Sequence, residues 1–167
     1  MSKRDLDRLI EKASNFAEVM MREKGEVAPI WHMITESGEE LIELTPPLES
    51  KDLAIALMKA MFECFHVVRY VHFTEAWTLD YRGEKARKIT SEDLRKIKQE
   101  GLSQHPDRVE VVMFQAEDNE AGLITGHRPI IRPNGKKPYL GPIEYLSEGM
   151  ESEGRLVGLL PRKGTLQ

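Results

Sequence analysis

Residues 53–77, LAIALMKAMFECFHVVRYVHFTEAW, constrain the fold of this chain more than any other stretch. In the first half, Leu53, Ala54, Leu57, Met58, Met61, Phe62, Cys64 and Phe65 recur at helical spacing, and only Lys59, Glu63 and His66 interrupt the apolar surface. That pattern predicts a helix from residue 51 to residue 66 or 68, capped by Ser50 and covered over most of its circumference. Cys64 falls on the apolar side, which predicts an inert, buried thiol. From Val67 the residues turn β-branched and aromatic, through Val68, Tyr70, Val71, Phe73 and Trp77, and the helix should feed an interior strand.

The flanking segments supply the other elements. Between Ser2 and Lys24, the residues Leu6, Leu9, Ile10, Ala13, Phe16, Ala17 and Met20 make one apolar stripe, so this segment reads as an amphipathic helix that Gly25 ends. Ser2 and Asp5 have the spacing of a capping pair. Residues 29–35 and 41–45 read as strands joined through Glu36-Ser37-Gly38-Glu39, and Pro46-Pro47 stops the second. Residues 80–88 read as a charged loop. Thr90-Ser91-Glu92-Asp93 opens a short polar surface helix that Gly101 closes. After a turn at 103–107, residues 108–117 and 121–131 read as strands. Pro129 restricts the latter to a sheet edge or a bulge. Asn134-Gly135 signals a turn into 137–140. Residues 143–146 and 155–160 read as short strands, with an acidic loop at 149–154.

The order α-β-β-α-β-α-β-β, followed by irregular C-terminal strands, predicts a single α+β domain over residues 1–167. Its base is one mostly antiparallel sheet with the first two helices packed on it. Over roughly the first two thirds of the chain this order resembles the core of the deaminase-like and profilin-like folds, a resemblance of element order that implies no function. The order leaves open what covers the sheet's second face, and a like partner in a homodimer is the commonest solution.

Composition removes several function classes. A chain of 167 residues buries roughly 70% of its unfolded surface, which suffices without disulfides or a structural metal. The lone Cys64 excludes an intramolecular bridge and fits a reducing, cytoplasmic setting. A net charge of −4 disfavours bulk nucleic-acid binding. No apolar run approaches the ~20 residues of a membrane helix, and the N-terminus has no secretory apolar core.

Catalytic signatures are missing. Zinc deaminase chemistry needs His-x-Glu and Pro-Cys-x-x-Cys at helix starts, and neither helix offers them. There is no Gly-x-Ser-x-Gly, no phosphate-binding glycine loop and no His-Glu-x-x-His helix. Glu63 and His66 share the i, i+3 spacing of di-iron carboxylate sites, but as one copy continuing the Lys59 stripe they read as a solvated face. No metal or other cofactor is expected. His32, between Ile30 and Ile34 on its face, reads as a hydrogen-bonded core or edge histidine, and His105 as a solvated turn residue.

Two features carry the functional expectations. The first is a basic ribbon running from His127 to Lys137, with Arg128, Arg132, Lys136 and Lys137 and no acid among them. It suits an acidic or phosphate-bearing partner, and it also suits an edge strand guarded by charge and proline. The first expectation is therefore a non-enzymatic interaction or regulatory module working through this ribbon. The second feature is a pair of carboxylates in apolar strand rows: Glu75 with Val71, Phe73 and Trp77, and Glu110 with Val112, Phe114 and Ala116. On adjacent strands they could face one pocket, or be neutralised by Arg69 or Arg108. The second expectation is a small hydrolase-like enzyme using Glu75 and Glu110, with His72 or His32 brought near by the fold.

Overall fold

A computed structural model describes residues 2–45, 50–79, 90–146 and 159–160. Helix α1 spans Ser2–Lys24. The predicted stripe is buried through Leu6, Leu9, Ile10, Ala13, Ala17 and Met20, with Met21 beside it, while Phe16 stays exposed. Gly25 takes φ +77° and donates its N–H to Met21 O at 2.9 Å, a left-handed helix stop that a side chain would strain. Strands β1 (Ile30–Thr35) and β2 (Glu40–Leu44) form the predicted hairpin. Then come α2 (Lys51–Cys64), β3 (Val67–Leu79), α3 (Ser91–Glu100), a 3-10 turn at Leu102–Gln104, β4 (Arg108–Asp118), β5 (Gly122–Ile131), β6 (Tyr139–Leu140) and β7 (Glu144–Tyr145).

This is an α+β fold with one sheet, in the order β2-β1-β3-β4-β5-β6, with β7 also beside β5 and every described pairing antiparallel. The two-residue alternation of the strands separates two cores. Ile30, Val71, Phe73, Val112, Phe114 and Ala116 lie under α1. Trp31, Met33, Val67 and Tyr70 face the other way and meet Met58 and Phe62 of α2, joined by Leu159 and Leu160. The two long helices thus take opposite faces of the sheet.

The covering of α2 departs from expectation. Only Met58 and Phe62 are buried, and Leu53, Leu57 and Phe65 are exposed. A straight helix lying on a sheet buries one stripe, here the i, i+4 pair, and among the described residues nothing packs on its second apolar stripe. Cys64 sits about 200° round the helix from Phe62, so the predicted buried thiol is corrected to an exposed one. The helix also stops at Cys64, before either predicted end. Phe65 caps it, and His66, at φ +51°, turns the chain at once into β3.

Thr90 and Asp93 form a reciprocal capping box at α3, which buries no residue. The predicted edge or bulge at Pro129 is corrected: β5 has β4 on one side and β6 and β7 on the other, and Pro129 is accommodated because its backbone turns away from β4, where its carbonyl accepts Gly141 N–H at 2.8 Å, so its missing donor costs no β4 hydrogen bond. Gly126 lies opposite Phe114, whose ring covers it; a Cβ there would come within 2.5 Å of that ring and 2.7 Å of Glu144 O. The Pro46-Pro47 stop, the loop at 80–88, the acidic loop at 149–154 and residues 155–158 of the last predicted strand lie outside the described residues, and Leu159 and Leu160 pair with no strand. Among the described residues no helix is long and apolar enough to cross a membrane.

Candidate functional site

Because α2 touches the sheet mainly through Met58 and Phe62, a cavity of about 460 Å³ remains between them. Ile55 and Met58 of α2 form one wall, with Lys51 and Ala54 nearer the helix start. The sheet contributes Trp31, His72, Thr74 and Gln115, and Pro29, Thr45 and Glu75 complete the lining. The volume is that of a pocket for a small organic molecule.

An aromatic cluster lies beneath it. The Trp31 ring lies 5.7 Å from Phe62, 5.5 Å from Tyr70 and 4.2 Å from His72, centre to centre. Its Nε1–H donates to Thr45 Oγ1 at 2.8 Å. Tyr70 donates its hydroxyl to Glu117 Oε2 at 2.9 Å; burial first, and then the Glu117 charge, raises its phenol well above the usual range.

Two polar groups stand in this apolar setting. His72 is 4% exposed, and burial pulls its pKa down to about 4, so its ring is neutral at physiological pH. Among the described residues neither ring nitrogen has a hydrogen-bond partner. Gln115 sits directly across from His72 on β4. Its Oε1 is buried and also lacks a partner among the described residues. A buried amide oxygen normally finds a donor, and leaving one unpaired costs about 1–3 kcal/mol. A neutral imidazole and a carboxamide side by side can donate to and accept from one polar group of a bound molecule. Sequence reasoning singled out His72 but missed Gln115. The signal was present, because Gln115 is a polar residue in the row of Val111 and Met113, the same anomaly that marks Glu75 in its own row.

The carboxylates flagged from sequence do lie on adjacent strands and one face. Glu110 is opposite Trp77 and Glu75 opposite Val112, and both border a shallow depression of about 100 Å³ with Ala76, Trp77 and Ile130. Each carboxylate has a partner of its own. Glu75 Oε1 accepts Val27 N–H at 2.7 Å, and Glu110 Oε2 is bridged by Arg132 Nε at 2.8 Å. Arg69, one suggested neutraliser, pairs instead with Asp118 and Asp5. His72 points to the opposite face of the sheet, so the fold does not bring it to Glu75 and Glu110. His32 lies on their face but bonds Glu40 at 2.5 Å.

The basic ribbon divides in two. Arg128 is largely buried and built into the core: its guanidinium bonds Ser14 Oγ at 2.9 Å, Glu18 Oε2 at 2.9 Å and the carbonyls of Leu140 and Gly141. Burial pulls its pKa down while Glu18 raises it again. Arg132 bonds Glu110 and Gly25 O. Lys136 and Lys137 are exposed and make no ion pair among the described residues. Glu63, His66 and Lys59 are likewise exposed, as a solvated stripe. No group of three or more His, Cys, Asp or Glu side chains among the described residues could hold a metal ion.

Set against known proteins, the chain matches no family model, no curated protein and no solved structure.

Proposed function

We propose that the protein binds a compact, largely apolar small molecule in the cavity between α2 and the sheet. The observation that carries this reading is the unpaired, buried Gln115 Oε1 beside the neutral His72, both lining the same apolar space. The ligand that fits carries one hydrogen-bonding group for these two side chains and an uncharged body for Trp31, Ile55 and Met58. In this reading the protein is a binding or sensing module, and α2 is the element that responds to occupancy.

Titration with indole, 4-ethylphenol and benzamide, followed by melting temperature and tryptophan emission, tests it. At least one should raise the melting temperature saturably and perturb Trp31. Ile55→Trp, which fills the cavity, and Gln115→Leu should each weaken that binding. Absence of any saturable response, or binding indifferent to Ile55→Trp, would remove the proposal.

A second reading keeps the ribbon. The exposure of Lys136 and Lys137, free of ion pairs among the described residues, favours capture of an acidic or phosphate-bearing partner. Polyglutamate should then bind the native protein at low salt and fail to bind the Lys136→Glu/Lys137→Glu variant. Equal binding by both would end that reading.

A further inference from the structure

Among the described residues strand β2 is the last strand on its side of the sheet, and no strand pairs with its outer side. In the hairpin, Thr35 N–H donates to Glu39 O at 2.9 Å and Thr45 N–H to Pro29 O at 2.9 Å. Residues 39, 41, 43 and 45 therefore turn their peptide groups toward β1. By alternation, Glu40, Ile42 and Leu44 turn theirs outward. Native edges of this kind are usually blunted by Lys, Pro or a bulge. This strand reads Glu-Leu-Ile-Glu-Leu and has neither Lys nor Pro.

The two faces of the edge differ. On the α1 side Ile42 is 45% and Leu44 60% exposed. An ion pair from Lys12 to Glu40 ties α1 beside β2. Ile42 and Leu44 thus leave an exposed apolar pair on this face of the edge. On the other side of the strand Glu39 and Glu43 are exposed and have no ion pair among the described residues.

We infer that β2 is a docking edge for an extended cationic segment of a partner protein, added as an antiparallel strand. Main-chain hydrogen bonds go to Glu40, Ile42 and Leu44. Cross-strand neighbours share a face, so residues opposite Ile42 and Leu44 are apolar and the intervening ones are Lys or Arg facing Glu39 and Glu43. The occupant is thus an alternating apolar/cationic strand. A second copy of β2 fits worse, because antiparallel self-pairing about Ile42 sets the two Glu43 carboxylates on one face as diagonal neighbours. This inference is independent of the cavity.

The test uses a fluorescein-labelled Lys-Val-Lys-Val-Lys-Val-Lys peptide and the full chain, read by anisotropy. Saturable binding is expected, weakening as salt is raised. A peptide of equal charge with proline for the central valine should bind about tenfold more weakly or worse. Ile42→Pro removes an outward N–H without touching a β1 hydrogen bond, and it should weaken binding by a similar factor with the circular dichroism spectrum unchanged. Glu43→Lys, an exposed charge reversal, provides a second variant and should also weaken binding. Equal binding of the proline peptide would reduce the effect to bulk charge and overturn the proposal. So would absence of binding at low salt, or a native dimer that Glu43→Lys or Ile42→Pro converts to monomer.

Discussion

His72 shows how one side chain is set by its surroundings. Burial holds its ring neutral and lowers its pKa from 6.5 to about 4. Between those values the unfolded chain binds the extra proton, so stability from this group is full above 6.5 and is lost as pH falls toward 4. The difference corresponds to roughly 3 kcal/mol over the window. His72→Gln keeps a neutral hydrogen-bonding side chain without the titration. Its urea midpoint should therefore fall less steeply with acidification than that of the native protein, and equal slopes would show that His72 does not carry the effect. Cys64 makes the opposite point, because its environment is solvent. One thiol per chain should react with an aromatic disulfide reagent in the native protein as fast as in denaturant; strong native protection would contradict its placement. The polarity of His72 was legible in the sequence, while the exposure of Cys64 was not. Spacing along a helix gives the angle of a residue but not which angle the rest of the chain covers.

Strands were read more accurately than the packing of helices. The alternation in Val67–Leu79 and Arg108–Asp118 located both central strands to within a few residues, because a half-buried strand must alternate. The register of β4 against β5 is tertiary, and it places Phe114 over Gly126. The gap left by the missing side chain is closed by the ring itself and by the Glu144 carbonyl. Gly126→Ala should destabilise the protein by about 1–3 kcal/mol, since a fully buried ring and a backbone carbonyl must both move. A chemical denaturation midpoint matching the native one would show that β5 and β7 can part at no cost. The same register decides the fate of the flagged cations. Arg128 falls opposite Val112 and under α1, where Ser14 and Glu18 take it, so part of the predicted ribbon belongs to the core.

Across the whole molecule the two faces of the sheet are held unequally. Helix α1 buries seven apolar side chains and α2 two, and each large one contributes roughly 1.5–3 kcal/mol. Local opening follows that inequality. Amides of Lys51–Cys64 should exchange with deuterium well before those of Ser2–Lys24 and of β3 and β4, and a ligand in the cavity should slow α2 selectively. Uniform protection of both helices would mean that α2 is anchored by more than Met58 and Phe62.

The sequence by itself determined the elements and their order: apolar residues at three- and four-residue steps can be buried only in a helix, alternation only in a strand, and glycine and proline mark where each must end. It also determined which polar residues are anomalies, because a carboxylate, imidazole or amide in an apolar row needs a partner. Tertiary structure alone decided which face each helix takes, that α2 stands off the sheet and leaves a cavity, and which anomalies meet. Those outcomes depend on contacts between residues far apart in the chain, such as His72 with Gln115 or Arg128 with Glu18, and no local period encodes them.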